Sequence, residues 1–164
     1  GKATMRHVIS VYVDNEPGVL SRVTGLFSGR GFNIESLCVA ATLDPEVSHI
    51  TLVSVGNEMI IEQIIKQLRK LINIIKVVDL TTTEHVEREM ALVKVKAEDR
   101  QRAEVLRIAD IFRCRVVDVS PSSYTLEITG TTEKLNAVLG LLKSIGIQEV
   151  VRSGSLAIQR SRKE

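Results

Sequence analysis

Tryptophan is absent from this 164-residue sequence, and aromatic residues make up only 3% of it although 44% of the residues are hydrophobic. The core must therefore be built from Val, Ile, Leu and Ala, a composition that suits strands mixed with helices. RNA-binding sheets recognise bases with stacked aromatic side chains, so the scarcity of such residues argues against that function. The net charge of +2 is too small to indicate a polyanionic partner.

Cysteine is scarce, and long apolar runs are missing. Cys38 and Cys114 lie far apart in the sequence and belong to no motif, which is typical of small buried thiols in a reducing compartment. No apolar run reaches the roughly 18 residues of a membrane span. No signal peptide is recognisable. We therefore expect a cytoplasmic protein without a membrane partner, or an organelle protein that lacks its transit peptide.

The usual components of an active site are missing as well. The three histidines, His7, His49 and His85, have no cysteine nearby in the sequence, and no HxxxH, CxxC or paired-carboxylate spacing occurs. The glycines of segment 25–31 lie at the end of a predicted helix, whereas a phosphate site needs the free N–H groups of a helix start. We therefore expect no catalytic residue and no metal site.

The sequence does contain a regular succession of strand and helix patterns. In the first half, segments rich in Val and Ile predict strands over 5–13, 33–42, 48–55 and 74–80. Apolar residues at helical spacing predict a first helix that has Pro17 at its first position and ends through the positive φ of Gly29 and Gly31. The apolar stripe of a second helix consists of Ile61, Ile64, Ile65, Leu68 and Ile72.

The same order recurs in the second half. Strands are predicted over 87–95, 114–119, 124–129 and 147–152, with a further short strand over 156–158. The apolar positions of the third helix are Ala103, Leu106, Ala109, Ile111 and Phe112. The fourth helix starts after a Thr131 cap, ends at Gly146 and has its apolar stripe at Leu135, Val138, Leu139 and Leu142.

Two successive βαββαβ units predict an α+β fold of two tandem ferredoxin-like domains, residues 5–80 and 81–164. Each has an antiparallel sheet with both helices on one face. The other face and the edge strands then need cover, and domains of about 60–80 residues bury only a limited core. We therefore expect a homodimer in which sheets or helices pair across the subunits.

The most credible binding site lies where the first strand ends and the first helix starts. A helix start offers unpaired N–H groups and a partial positive charge, so a carboxylate would bind there. Gly18 lets a ligand approach the backbone, and Asn15 can both donate and accept hydrogen bonds. Val19 and Leu20 can supply an apolar wall.

A second polar element begins at Asn33, at the opposite end of that helix. A helix of about 13 residues is roughly 20 Å long, so Asn15 and Asn33 are too far apart to share a small ligand within one subunit. They can do so only if a second subunit packs antiparallel. On spacing alone, a plain turn at residues 15–18 and a loop cap at Asn33 are the simpler interpretation.

Segment 13–37, VDNEPGVLSRVTGLFSGRGFNIESL, closely resembles the amino-terminal signature of the small, regulatory subunits of acetolactate synthase, also called acetohydroxyacid synthase. That signature is an ACT domain, the ferredoxin-like amino-acid sensor. The likeness continues at segments 66–71, 85–89, 111–113 and 152–154 and so covers nearly the whole chain. It implies a dimer of ACT domains, each followed by a carboxy-terminal ferredoxin-like domain that we expect to contact the catalytic subunit.

The resemblance also implies a ligand and a partner. It implies that valine binds between two ACT domains, at positions that match Asn15, Gly18 and Asn33, with Val19, Leu20 and Ile34 at the backbone and apolar contacts. It further implies a non-catalytic subunit that activates the catalytic subunit and confers allosteric feedback inhibition by valine in branched-chain amino acid biosynthesis. Thiamine diphosphate, Mg²⁺ and FAD are expected in the catalytic subunit, and no cofactor in this chain.

Two other classes of function fit the sequence less well. A free-standing ACT-type sensor could touch nucleic acid through the basic tail with Arg160, Arg162 and Lys163, but a helix-turn-helix segment is missing. An acylphosphatase-like hydrolase would need an arginine in a phosphate-binding loop after the first strand, where this chain has Asp14 and Glu16. We therefore expect no nucleic acid partner.

Overall fold

The computed structural model describes residues 5–30 and 32–161. In chain order the elements are β1 (Met5–Asp14), α1 (Val19–Ser28), β2 (Asn33–Ala41), β3 (Val47–Gly56), α2 (Glu58–Leu68) and β4 (Ile74–Asp79), followed by β5 (His85–Lys96), α3 (Asp99–Ile111), β6 (Arg115–Val119), β7 (Ser123–Gly130), α4 (Thr132–Ile145) and β8 (Ile147–Gln159). Within the described residues the strands form two four-stranded sheets, ordered β2-β3-β1-β4 and β6-β7-β5-β8. The predicted α+β fold with the βαββαβ order twice is confirmed.

The chain divides into two compact units, and the division differs from the predicted boundary. The first unit contains the described residues of 5–86 together with 155–161, and the second contains residues 87–154. Residues 155–161 belong to the first unit because Ala157 packs with Val8, Val53 and Leu80 in one buried cluster. The N–H of Ala157 also lies 3.4 Å from the hydroxyl of Thr51, to which it donates.

The core of the first unit lies between its sheet and its two helices. Alternate residues of β1 face the helices, and the register pairs Ile9 with Leu52 and Val11 with Ile50. The helices bury Val19, Val23, Phe27, Ile61, Ile64, Ile65 and Leu68. Full burial of one such side chain contributes about 1.5–3 kcal/mol, so this layer supplies most of the apolar stabilisation of the unit.

The start of α1 differs from the prediction. Pro17 is not its first residue, because the helix begins at Val19. Gly18 precedes it with φ at 85°, in the left-handed region, and so turns the chain between Pro17 and the helix. A β-turn therefore occupies the position where an extra half-turn of helix was expected.

The end of α1 differs too. Gly29 has φ at −65°, so the predicted positive φ at this glycine is wrong. The helix closes instead through a hydrogen bond of 3.1 Å from the N–H of Phe32 to the carbonyl of Phe27. Gly31 lies outside the described residues.

Several apolar residues assigned to helix cores are exposed. Ile72 is 95% exposed because α2 ends at Leu68, a turn earlier than its stripe suggested. In α3 the predicted Ala103, Leu106 and Ile111 are exposed. That helix instead buries Val105, Ile108 and Ala109. The apolar stripe of α3 was therefore placed partly on the wrong face of the helix.

The second unit repeats the arrangement of the first. Alternate residues of β5 and β7 meet the helices in a core of Ala91, Val93, Val95, Leu126, Ile128, Leu135, Val138 and Leu142. The predicted cap of α4 is confirmed, since the hydroxyl of Thr131 accepts the N–H of Lys134 at 3.2 Å. Gly146 ends this helix with φ at 128°. β8 is one continuous strand rather than the two short strands predicted. No helix in the described part of the chain is long and apolar enough to cross a membrane.

Candidate functional site

The start of α1 presents open backbone N–H groups. No side chain among the described residues caps this helix, and its first turn contains no acidic residue. The N–H of Val19 donates to the carbonyl of Glu16 at 3.4 Å. Among the described residues, no protein group accepts the N–H of Leu20 or Ser21. These two groups and the helix dipole are therefore available to an anion such as a carboxylate.

Gly18 keeps the approach to this helix start clear. A methyl group built on its Cα would have no atom within 4 Å. The backbone conformation, however, is one that residues with a side chain adopt at a cost of about 1–2 kcal/mol. Gly18 thus forms the turn and leaves open space beside the backbone.

Asn15 is exposed and fixed beside the turn between β2 and β3. Its side-chain N–H donates to the carbonyl of Pro45 at 3.0 Å, and its backbone N–H donates to Glu46 at 2.8 Å. Its side-chain oxygen has no partner in the described part of the chain. Leu20 is 41% exposed nearby in the sequence, whereas Val19 is buried in the core. Only Leu20 can therefore offer a side chain to a ligand, and Val19 can offer backbone.

Asn33 and Ile34 begin β2. The side chain of Asn33 is exposed, and its backbone carbonyl accepts the hydroxyl of Ser54 at 2.9 Å. Ile34 is half-buried and packs against the core cluster of the first unit. This anchoring holds the start of β2 while the side chain of Asn33 remains free to meet another molecule.

The register places Asn15 and Asn33 at opposite ends of the sheet. Asn33 pairs with Val55, and Val55 pairs with Arg6 on β1. Arg6 precedes Asn15 by 15 − 6 = 9 residues, which corresponds to roughly 30 Å of strand. The structure therefore brings Asn15, Gly18 and Leu20 together and leaves Asn33 and Ile34 apart from them within one subunit.

Two titratable side chains in the described part of the chain have shifted pKa values, and both lie outside the start of α1. The imidazole of His49 lies 2.7 Å from the hydroxyl of Ser10 and packs at a tilt of 59° against the ring of Tyr12, and burial lowers its pKa. Burial raises the pKa of the Cys114 thiol, which disfavours the reactive thiolate. Among the described residues, no group of three or more His, Cys, Asp or Glu side chains is placed to hold a metal ion.

A cleft of about 1090 Å³ lies elsewhere in the first unit and was not found from the sequence. Residues 83–86 and 158–161 line it, including Glu84, His85 and Arg160. The imidazole of His85 lies 2.7 Å from the carbonyl of Thr83. None of the predicted site residues borders this cleft, so the helix start of α1 is separate from that cavity.

Comparison with known proteins assigns both halves of the chain. Residues 9–76 match the model of an AHAS small subunit-like ACT domain, and residues 88–161 match that of the small subunit of acetolactate synthase. Over 160 residues the chain is 50% identical to the acetolactate synthase small subunit of Haemophilus influenzae, covering 97% of this chain and 98% of that protein. The chain belongs to the family of acetolactate synthase small subunits.

Other family members agree over the same length. The small subunit of acetolactate synthase isozyme 3 of Escherichia coli is 49% identical over 160 residues, with 97% of this chain and 98% of that protein covered. The crystal structure of the small subunit from Thermotoga maritima superimposes with a TM-score of 0.88 at 37% identity, covering 97% of this chain and 99% of that chain. The family resemblance found in segment 13–37 is thus confirmed.

Proposed function

We propose that this chain binds the catalytic subunit of acetolactate synthase, raises its activity and makes it sensitive to valine. Membership of the small-subunit family supports the catalytic subunit as partner. The observation that carries the sensing role is the uncapped start of α1 behind Gly18, with Asn15 beside it. Thiamine diphosphate, Mg²⁺ and FAD then belong to the catalytic subunit, and the complex works in the cytoplasm.

Valine fits a site made of two half-sites, the start of α1 in one subunit and the start of β2 in its neighbour. Its carboxylate accepts the N–H groups of Leu20 and Ser21, which have no protein partner in the described residues. The side-chain oxygen of Asn33 from the neighbouring subunit accepts the ammonium group. The isopropyl group of valine packs on Leu20 of one subunit and Ile34 of the other. Because one methylene in such a pocket is worth about 1–3 kcal/mol, leucine and isoleucine are expected to bind more weakly than valine.

Pairing of β2 with β2 of a second copy would join the half-sites. β2 is an edge strand, so one side of its backbone is open. Its last residue, Ala41, pairs with Ser48 at the same end of the sheet where Asn15 bonds to Glu46. Antiparallel pairing of two β2 strands would set Asn33 of one subunit beside Ala41 of the other. Asn33 would thereby approach the half-site of Asn15 in the second subunit.

Inhibition then follows from a difference in valine affinity between two states of the regulatory dimer. Valine bridges two subunits, so it stabilises the dimer arrangement in which both half-sites are closest. If that arrangement activates the catalytic subunit less, a coupling of about 1–3 kcal/mol produces several-fold inhibition. Linkage applies to binding alone, so where valine weakens binding of the catalytic subunit, the catalytic subunit weakens valine binding by the same factor.

The test measures acetolactate synthase activity of the reconstituted holoenzyme with and without valine. Asn15→Ala, Asn33→Ala and Gly18→Asn are expected to activate the catalytic subunit normally and to lose most of the inhibition. Asparagine tolerates the left-handed conformation, so Gly18→Asn fills the ligand space without breaking the turn. Gln63→Ala, which removes an exposed amide from α2, is the control and should remain inhibited. Full valine sensitivity of all three site variants would show that the site lies elsewhere.

A further inference from the structure

β6 is an edge strand with an unusual surface. It lies at one end of the strand order in its sheet, and all five of its residues are exposed. Val117 is 52% exposed and Val119 is 64% exposed. An exposed edge with apolar side chains has open backbone N–H and carbonyl groups and is a template for pairing with another strand.

A bulge sets the two charged residues of β6 on one face. Arg115 pairs with Glu127 and Asp118 pairs with Thr125, with a register shift between Val116 and Asp118. Glu127 and Thr125 are two residues apart on β7 and so point to the same face. Arg115 and Asp118 therefore share that face, which is opposite to the face whose Leu126 is buried in the core.

Arg115 and Asp118 are not paired with other charged side chains of the described chain. Both side chains are exposed, and neither has a hydrogen bond or ion pair in the part of the chain that the structure describes. Many edge strands carry a bulge or a charge that discourages pairing. Here the bulge instead presents one positive and one negative side chain, separated by two valines, to whatever approaches the edge.

We propose that β6 pairs antiparallel with β6 of a second copy of this chain. In the register that sets Val116 opposite the partner's Val117, Arg115 lies opposite the partner's Asp118, and the two-fold axis repeats this pair. A two-fold interface needs a surface that complements itself, and the Arg-Val-Val-Asp order satisfies this condition. A shift by one residue in either direction would set each of these charges opposite an uncharged residue and lose both ion pairs.

The chemistry favours a second copy over an unrelated strand. An unrelated partner would need the inverse charge order at the same spacing, whereas an identical chain supplies it by symmetry. Cross-strand pairs of opposite charge stabilise a sheet, and like charges directly opposite destabilise it. A contact of five residues on each side is small by the standard of stable interfaces, so it strengthens the assembly of copies rather than creating it alone. The contact does not depend on valine.

Charge reversal of the full chain, followed by sedimentation equilibrium without valine, tests this pairing. Asp118→Arg sets Arg opposite Arg in both halves of the contact, and Arg115→Asp sets Asp opposite Asp. Each variant alone is expected to lower the association constant by about tenfold. This constant describes either two monomers forming a dimer or two dimers forming a tetramer. A mixture of the two variants forms two good pairs and should associate like the unaltered chain. The double variant Arg115→Asp with Asp118→Arg should also associate normally.

Glu104→Arg is the matched control, because it makes the same charge change at an exposed position on α3. It should leave self-association unchanged, and circular dichroism confirms that all variants are folded. Unchanged association of both single variants, or failure of the mixture to recover it, would overturn the proposal. Calorimetric titration with valine separates this result from the proposed sensing role, since the β6 variants should still bind valine.

Discussion

Arg152 and Glu89 form an ion pair in the second unit, in which the side chain of Glu89 is only 6% exposed. The Nε atom of Arg152 donates to the carboxylate at 3.1 Å, and a second guanidinium nitrogen donates to the same oxygen. A third guanidinium contact reaches the side-chain oxygen of Asn136 at 3.0 Å. One arginine thus joins the strands β5 and β8 to helix α4.

Removal of the arginine should leave a buried carboxylate without its counter-charge. Loss of one partner of a buried pair typically costs about 3–5 kcal/mol. Because the side chain of Arg152 is 34% exposed, we expect Arg152→Met to lower the free energy of unfolding by roughly 2–3 kcal/mol. Urea denaturation measures this change. The double variant with Glu89→Met should recover much of the loss, because no buried charge then remains.

The exposed pair of Lys94 and Glu149 provides the comparison. Its atoms are 3.8 Å apart and both side chains are well exposed to solvent. Such pairs are worth about 0–1 kcal/mol, so Lys94→Met should change the unfolding free energy much less than Arg152→Met. Equal losses in the two variants would contradict the importance assigned to burial of Glu89.

Gly56 is expected to tolerate no side chain. A methyl group on its Cα would lie 1.8 Å from the ring of Phe32, so the ring must move out of its buried position. Overpacking of this kind costs about 1–3 kcal/mol, and we expect Gly56→Ala to lower the unfolding free energy by that amount.

Gly25→Ala is the matched substitution, and it is expected to raise the unfolding free energy where Gly56→Ala lowers it. Gly25 lies inside α1, is exposed, and has open space where the methyl group would be. Alanine is favoured over glycine in a helix interior by about 1 kcal/mol, so this variant should be stabilised. Thermal denaturation of both variants measures the two effects. A destabilised Gly25→Ala or an unaffected Gly56→Ala would show that the packing around these glycines is misjudged.

His49 should make the first unit less stable in mild acid. Burial lowers the pKa of this imidazole from its usual value of 6.5, so the folded chain takes up the proton less readily than the unfolded chain. The stability contributed by the neutral form is complete above pH 6.5 and is lost as the pH falls toward the lowered pKa.

The comparison of the native chain with His49→Gln isolates this contribution. Glutamine does not titrate, yet it can still form a hydrogen bond with the hydroxyl of Ser10, which lies 2.7 Å from the imidazole. Urea denaturation between pH 5 and 8 is expected to show that the difference in unfolding free energy changes below pH 6.5 and stays constant above it. A difference that does not change with pH would rule out a role for His49 in acid sensitivity.

Local patterns in the sequence predicted the helices and strands, whereas the exact helix ends and exposed faces depend on tertiary contacts. Alternation of apolar residues located every sheet strand, because one face of each sheet is buried. The order of residues around Pro17 predicted a helix start there, but the left-handed Gly18 moved it to Val19. The exposure of Ile72 and Leu106 could not be predicted, since it depends on where each helix ends and turns relative to its sheet.

The features of the candidate site that are local in sequence could be predicted, as for the fold. Asn15 and Gly18 stand out in the sequence because their chemistry is local to one turn. The opposite placement of Asn33 followed from the length of α1, and the strand register agrees with it. The bulge that aligns Arg115 with Asp118 had no sequence signal, because a bulge is defined by the neighbouring strand.

The packing of Ala157 on Val8, Val53 and Leu80 determines when the first unit can finish folding during synthesis. Residues 5–80 leave the ribosome early, but residues 155–161 of the same unit leave only after the whole second unit. Until then, one face of the first sheet remains uncovered. A nascent chain that lacks residues 155–161 thus exposes apolar side chains that the folded unit buries. The first unit therefore completes its fold only after the second unit has been synthesised.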